Sequence, residues 1–179
     1  MRIANLRASL ITAWLAIAIY FSAVVAPSAF GVLRTFSLAN ANEIAGTIVS
    51  RALSVVNKSG LIVSLLLLVS APAVKKYYGR WSFILQNVLS VFVAILTAGG
   101  EWVIAARMRG LRAAMNGHID QVPITDPNRI SFAVLHTYSV AALSVAMIAA
   151  FLVVVLLVLS RERNITAPTA GNASHREMA

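Results

Sequence analysis

Lys58, Glu101, Arg107 and His136 are the residues of this chain whose types and apolar surroundings could support chemistry. A carboxylate within a long apolar run needs a partner or its neutral form, because an isolated charge is costly to desolvate. An ammonium and an imidazole at similar depth could serve as partners, with a guanidinium close outside. Such a cluster could carry a proton, a metal ion or a small solute. Each member also has a plainer role. Lys58 can extend its ammonium to a membrane interface, Glu101 can be an interfacial charge, and His136 can be a hydrogen-bonded residue of a helix bundle. A lone histidine is a poor metal or haem site, since such sites need several ligands. His118 and His175 have no spanning partner, and Met108 and Met115, seven apart, fit packing at least as well as copper(I).

Long helices must bring these residues together. Residues 8–26 form an uncharged apolar run preceded by Arg2 and Arg7. The run exceeds the apolar core of a signal peptide, and Pro27 would follow the cut, so a retained first helix is predicted. Asn40 and Glu43 read as a capping box that opens a second helix over 41–74. At roughly 50 Å that helix is longer than a hydrocarbon core of about 30 Å. It must tilt, kink near Gly60, or project its first turns beyond the membrane. Residues 81–106 and 131–159 are the third and fourth spans. Residues 107–115 continue the third as a basic, surface-lying helix. Asp126 caps the entry to the fourth.

Composition demands the same class. The chain has 179 residues, 59% of them hydrophobic and 12% charged, a mean hydropathy of +0.82 and no cysteine. A water-soluble fold this short would expose large apolar patches, and disorder, collagen-like and disulfide-scaffold classes are excluded by the same figures. The net charge of +9 sits between and at the ends of apolar runs, so nucleic-acid binding is not expected. No GxSxG, HExxH or phosphate loop is present, so neither an enzyme nor a cofactor is expected.

The predicted fold is an all-α integral membrane protein. It is an antiparallel four-helix transmembrane bundle with a long second helix and a surface helix after the third span. Residues 1–160 form the transmembrane domain and 161–179 a disordered polar tail. Arg2, Arg7, Lys75, Lys76, Arg80, Arg161, Arg163 and Arg176 share one side, close to helix ends in short segments. Both termini are therefore expected in the cytoplasm, in a bacterial inner membrane. Gln86, Ser90, Ala94, Thr97 and Glu101 line one stripe of the third helix, opposite Leu85, Leu89, Phe92 and Leu96. Ser139, Ala142, Ala146 and Ala149 or Ala150 form a small-residue face on the fourth, with His136 at its edge. Asn57, Gly60, Ser64 and Ala71 form another on the second. These faces suit bundle packing, a membrane-protein partner or a homo-oligomer in the lipid bilayer; the alternative is a polar pocket serving as a small-solute, proton or metal conduit.

Several motifs together resemble the transmembrane protein 205-like family, a membrane domain of unknown function. They are Pro27-x-x-Phe30-x-x-Leu33, Ala45-Gly46, and Asp126-Pro127-x-Arg129-x-x-Phe132-x-x-Leu135-His136-x-x-Ser139. The resemblance covers roughly residues 10–160 and implies a small four-helix membrane protein without an assigned reaction. The chain departs from the pattern at Asn57-Lys58-Ser59, where a more aromatic, proline-containing stretch is expected.

Overall fold

Among the described residues, four helices are long and apolar enough to cross a bilayer: α1 (Ile3–Thr35), α2 (Ala41–Val69), α3 (Arg80–Ala114) and α4, whose apolar span is Pro127–Leu159. The computed structural model describes residues 2–166. Each helix packs on its neighbours in sequence, and α1 closes the ring against α4. Short connections make those neighbours antiparallel, giving an up-down-up-down bundle. Ile11, Trp14, Ala18, Val93, Ala150 and Val153 fill its centre, while Val55, Val69, Ile95 and Ile148 face outward. That outer surface would be an aggregation hazard in water and is matched to hydrocarbon.

Pro27 does not end the first span. The helix continues from Arg2 to Thr35, and the turn before the proline widens to a π-helix over Phe21–Val25, with the Ala26 N–H bonded to the Phe21 carbonyl. Proline lacks an N–H and crowds the carbonyl four residues back. A wider turn relieves that crowding without stopping the helix.

The second helix is shorter than 41–74. It stops at Val69, turns at Ser70, and resumes as one short turn over Ala71–Val74 and a 3-10 turn over Lys75–Tyr77. Pro72, at the start of that short turn, accounts for the break. The helix passes through Gly60 uninterrupted.

The start at Ala41 is where the sequence places it, but Asn40 makes no side-chain cap. The cap comes from the α3–α4 connection instead. Asp120 Oδ2 accepts from the Glu43 N–H at 3.2 Å, and Asp120 Oδ1 accepts from Asn42 Nδ2 at 2.6 Å. Glu43 in turn accepts from Arg112 Nε at 2.9 Å and from the Ile119 N–H at 3.2 Å. A carboxylate on the opening N–H groups of a helix complements its dipole. We predict that Asp120→Ala lowers stability by about 1–2 kcal/mol in equilibrium denaturation in detergent. Asn40→Ala, which removes no cap, is expected to change it by less than about 0.5 kcal/mol.

α3 is a longer rod than 81–106. Its α-helical part Arg80–Ala98 leads into a π-helical turn, Gly99–Ile104, and then into Ala105–Ala114. The basic helix expected after the third span is thus the continuation of α3, packed against α4. Asp126 caps α4 as predicted: its Oδ1 accepts from the N–H groups of Asn128 at 2.8 Å and Arg129 at 3.1 Å. α4 continues to Thr166, six residues into the segment expected to be tail, and residues 167–179 lie outside the described residues.

Candidate functional site

The polar stripe of α3 faces the bundle interior. Gln86, Ser90, Ala94, Thr97 and Glu101 are all buried; of the residues expected opposite them, Leu85 and Phe92 are exposed, whereas Leu89 and Leu96 are half-buried against the core. The hydroxyls of Ser90 and Thr97 each donate to the carbonyl four residues back, at 2.8 Å. On α2, Ser64 does the same to Gly60 at 2.8 Å. Each hydroxyl proton is thereby committed to its own helix, and the oxygen keeps lone pairs that can accept.

At one end of the stripe stands Glu101, 5% exposed. Its Oε1 accepts a hydrogen bond from Ser54 Oγ at 2.9 Å and lies 3.5 Å from Lys58 Nζ. Its Oε2 is buried without a partner. The Lys58 side chain is 55% exposed, so the ammonium reaches the carboxylate from the edge of the bundle. The π-helical turn that carries Glu101 begins at Gly99-Gly100. A Cβ on Gly100 would stand 3.1 Å from Nδ2 of the buried Asn57, so this glycine lets α2 and α3 approach closely beside the carboxylate.

Two of the four residues singled out in the sequence therefore meet, and two do not. Arg107 is exposed and lines a shallow groove with Leu111, Ser131 and Leu135, beyond the widened turn. His136 is also exposed. The inward line of α4 runs through Phe132, Leu135, Ser139 and Leu143, and His136 stands at its edge, about 40° from Phe132 and about 100° from Leu135. Among the motif positions, Pro27 lies beyond the π-helical turn of α1, Phe30 packs on the core, and Gly46 faces open space. Ser54 could have been found from the sequence, since it stands four residues before Lys58 on the same face of α2.

The far end of the interior holds polar groups that spacing did not reveal. Gln86 is 1% exposed; its Nε2 donates to Ser82 Oγ at 3.1 Å, and its Oε1 has no partner. Arg7 is 2% exposed; its Nη1 donates to the Leu67 carbonyl and, at 2.7 Å, to Ser70 Oγ, while its Nε has no partner. Buried polar atoms are paired in the great majority of cases. Here three of them, Arg7 Nε, Gln86 Oε1 and Glu101 Oε2, are not. Among the described residues no group of three or more His, Asp or Glu side chains could hold a metal ion.

Four apolar helices packed on an apolar core, with a buried polar stripe along α3, define the class: an all-α integral membrane protein with a four-helix bundle. Residues 9–117, spanning most of α1 through the end of α3, match the family described as a domain of unknown function (DUF4149), and the chain belongs to that family. No curated protein and no solved structure matches it.

Proposed function

We propose that the chain is a non-enzymatic membrane protein that relays protons along the buried polar stripe of α3, with Glu101 as the protonatable residue. The observation that carries this reading is the divided state of the Glu101 carboxylate. Oε1 is held by Ser54 and Lys58, and Oε2 is buried with nothing to bond. A proton can add at Oε2 without breaking either contact at Oε1. From there Thr97 follows four residues back along α3, Ser90 seven further and Gln86 four further. Four residues rise about 6 Å, a gap that one bridging water spans, and the seven between Thr97 and Ser90 rise about 10.5 Å and need a short file of waters. The hydroxyl protons stay on backbone carbonyls, so these oxygens act as acceptors that hold the waters, and the waters carry the proton. Ionisable residues inside spanning segments mark proton and ion routes more often than structural sites.

Docking of a partner or second copy through small-residue faces has less support. Ser139, Ala146, Ala149 and Ala150 of α4, and Asn57, Gly60 and Ser64 of α2, are buried within the chain itself. The proposal also places the chain in a bacterial inner membrane with both termini cytoplasmic, because Lys75, Lys76 and Arg80 crowd a short connection. The finer likeness to the transmembrane protein 205-like family stands as part of this proposal, carried by Pro27 to Leu33 and by Asp126 to Ser139.

The full chain, reconstituted in vesicles with a trapped pH-sensitive dye and a potassium-driven potential, is expected to acidify or alkalinise the lumen faster than empty vesicles. Glu101→Gln keeps the shape of the side chain and removes the proton site. It should lower that flux on the order of a hundredfold while leaving the elution profile in detergent unchanged. Equal flux through the wild-type and Glu101→Gln proteins would refute the reading.

A further inference from the structure

Cationic side chains gather at the end of the bundle opposite Glu101. Lys75 and Arg80 flank the α2–α3 connection, and together with Tyr78, Phe83 and Ile84 they line a cavity of about 430 Å³. The buried Arg7 guanidinium lies close enough to Tyr78 to act on its phenol electrostatically; burial pushes that phenol above its ordinary pKa, and the guanidinium partly offsets the rise. The hydroxyl therefore stays protonated and able to donate. The acidic residues whose side chains the structure describes, Glu43, Glu101, Asp120 and Asp126, belong to the opposite end. Among the described residues no carboxylate pairs with Arg7, Lys75 or Arg80. An anion would complement the cations at this end of the protein.

The walls of the cavity say which kind of anion. Phe83 and Ile84 supply an apolar side, and from Ile84 an exposed apolar line continues down α3 through Val88, Val91 and Ile95. Trp81, 82% exposed, stands beside the opening where aromatic rings settle at headgroup level. α3 begins at Arg80 behind Gly79, which offers no side-chain cap, so the positive end of the helix dipole faces the same region. Phosphate chemistry at the mouth and hydrocarbon along the adjoining helix belong together in one molecule. We propose that the cavity lined by Lys75, Tyr78, Arg80, Phe83 and Ile84 is a docking site for the headgroup of an anionic phospholipid, whose acyl chains lie along the outer face of α3.

The test uses the full chain in a neutral detergent, titrated with phosphatidylglycerol, phosphatidylcholine or inorganic phosphate. Bound lipid is counted by native mass spectrometry, and thermal stability is followed in parallel. Phosphatidylglycerol is expected to bind in preference to phosphatidylcholine and to raise Tm, with inorganic phosphate at equal concentration leaving Tm unchanged. Lys75→Gln and Arg80→Gln are exposed substitutions, and each should weaken phosphatidylglycerol binding about fivefold, the double variant about 25-fold. Arg109→Gln, at the other end of the bundle, should leave it unchanged. Three results would each overturn the proposal. They are equal binding of the two lipids, an equal rise in Tm with inorganic phosphate, and phosphatidylglycerol binding unaltered in both single variants and the double variant.

Discussion

Gly60→Ala, the addition of one methyl group, is expected to destabilise the bundle by about 2–4 kcal/mol. A Cβ at this position would stand 2.7 Å from Nε1 and Cε2 of Trp14 and 2.8 Å from Cζ2. Those atoms belong to a rigid fused ring that is 2% exposed and cannot swing aside as a flexible chain would. The ring is also tied: its N–H donates to the Val56 carbonyl at 3.0 Å. Val56 lies one helical turn before Gly60, and its carbonyl accepts from both the indole and Ser59 Oγ, each at 3.0 Å. The missing side chain at Gly60 is what lets the indole reach that carbonyl. Alanine would force the ring outward and cost both its packing and its hydrogen bond.

The same substitution at Gly46 provides the control. Nothing lies within 4 Å of a Cβ built there, so Gly46→Ala should stabilise α2 by up to about 1 kcal/mol through helix propensity alone. Thermal unfolding of both variants in one detergent measures the contrast. Trp14→Phe removes the atoms that collide, and combining it with Gly60→Ala should cost less than the sum of the two single changes. Similar stability for the Gly60→Ala and Gly46→Ala proteins would show that the indole does not occupy the α2 face.

Local rules and tertiary partners divide what the sequence reveals. The four spans are legible because apolar runs longer than a bilayer leave few alternatives, and Asp126 is legible as a cap because its acceptor and the N–H groups it serves are two and three residues apart. Asp120 acts across 77 and 78 residues of sequence, and no local pattern distinguishes it from the Asn40 that it displaces. Pro27 illustrates a rule that is correct but has two solutions, an end or a wider turn. The inward face of α3 is readable because polar residues alternate with leucines at helical spacing. α4 offers less contrast: the hydropathy of its most apolar window is 3.1, against 2.0, 2.0 and 1.9 for the other three. With apolar residues all round, a helix gives weak guidance about which side is buried, and His136 falls at the edge of the inward line. Arg7 is the extreme case, since by type and position it reads as a flanking charge like Arg2.

Arg7→Ala should lower stability by about 3 kcal/mol, and the physical account rests on which of two opposing terms is larger. The Nη1 of Arg7 donates to the Leu67 carbonyl and to Ser70 Oγ, where α2 ends and its last carbonyls have no partner within the helix. A cation there adds to the bond that the Leu67 carbonyl accepts from Ser70 Oγ at 3.2 Å, and it opposes the negative end of the helix dipole. Against this stands the cost of a buried charge whose Nε is unpartnered, and removing the whole group recovers that cost. Alanine loses the bonds and leaves a void, so both the lost charge-assisted bonds and the cavity count against it. Methionine fills most of the volume without a donor, and Arg7→Met should be less destabilising than Arg7→Ala, by about half. Denaturant titration in detergent of the wild type and the two variants separates the terms. An Arg7→Met protein at least as stable as the wild type would mean that desolvation outweighs capping and that Arg7 contributes nothing to holding α2 in place. The predicted order, wild type above Met above Ala, requires the guanidinium to act as the C-terminal cap of a neighbouring helix.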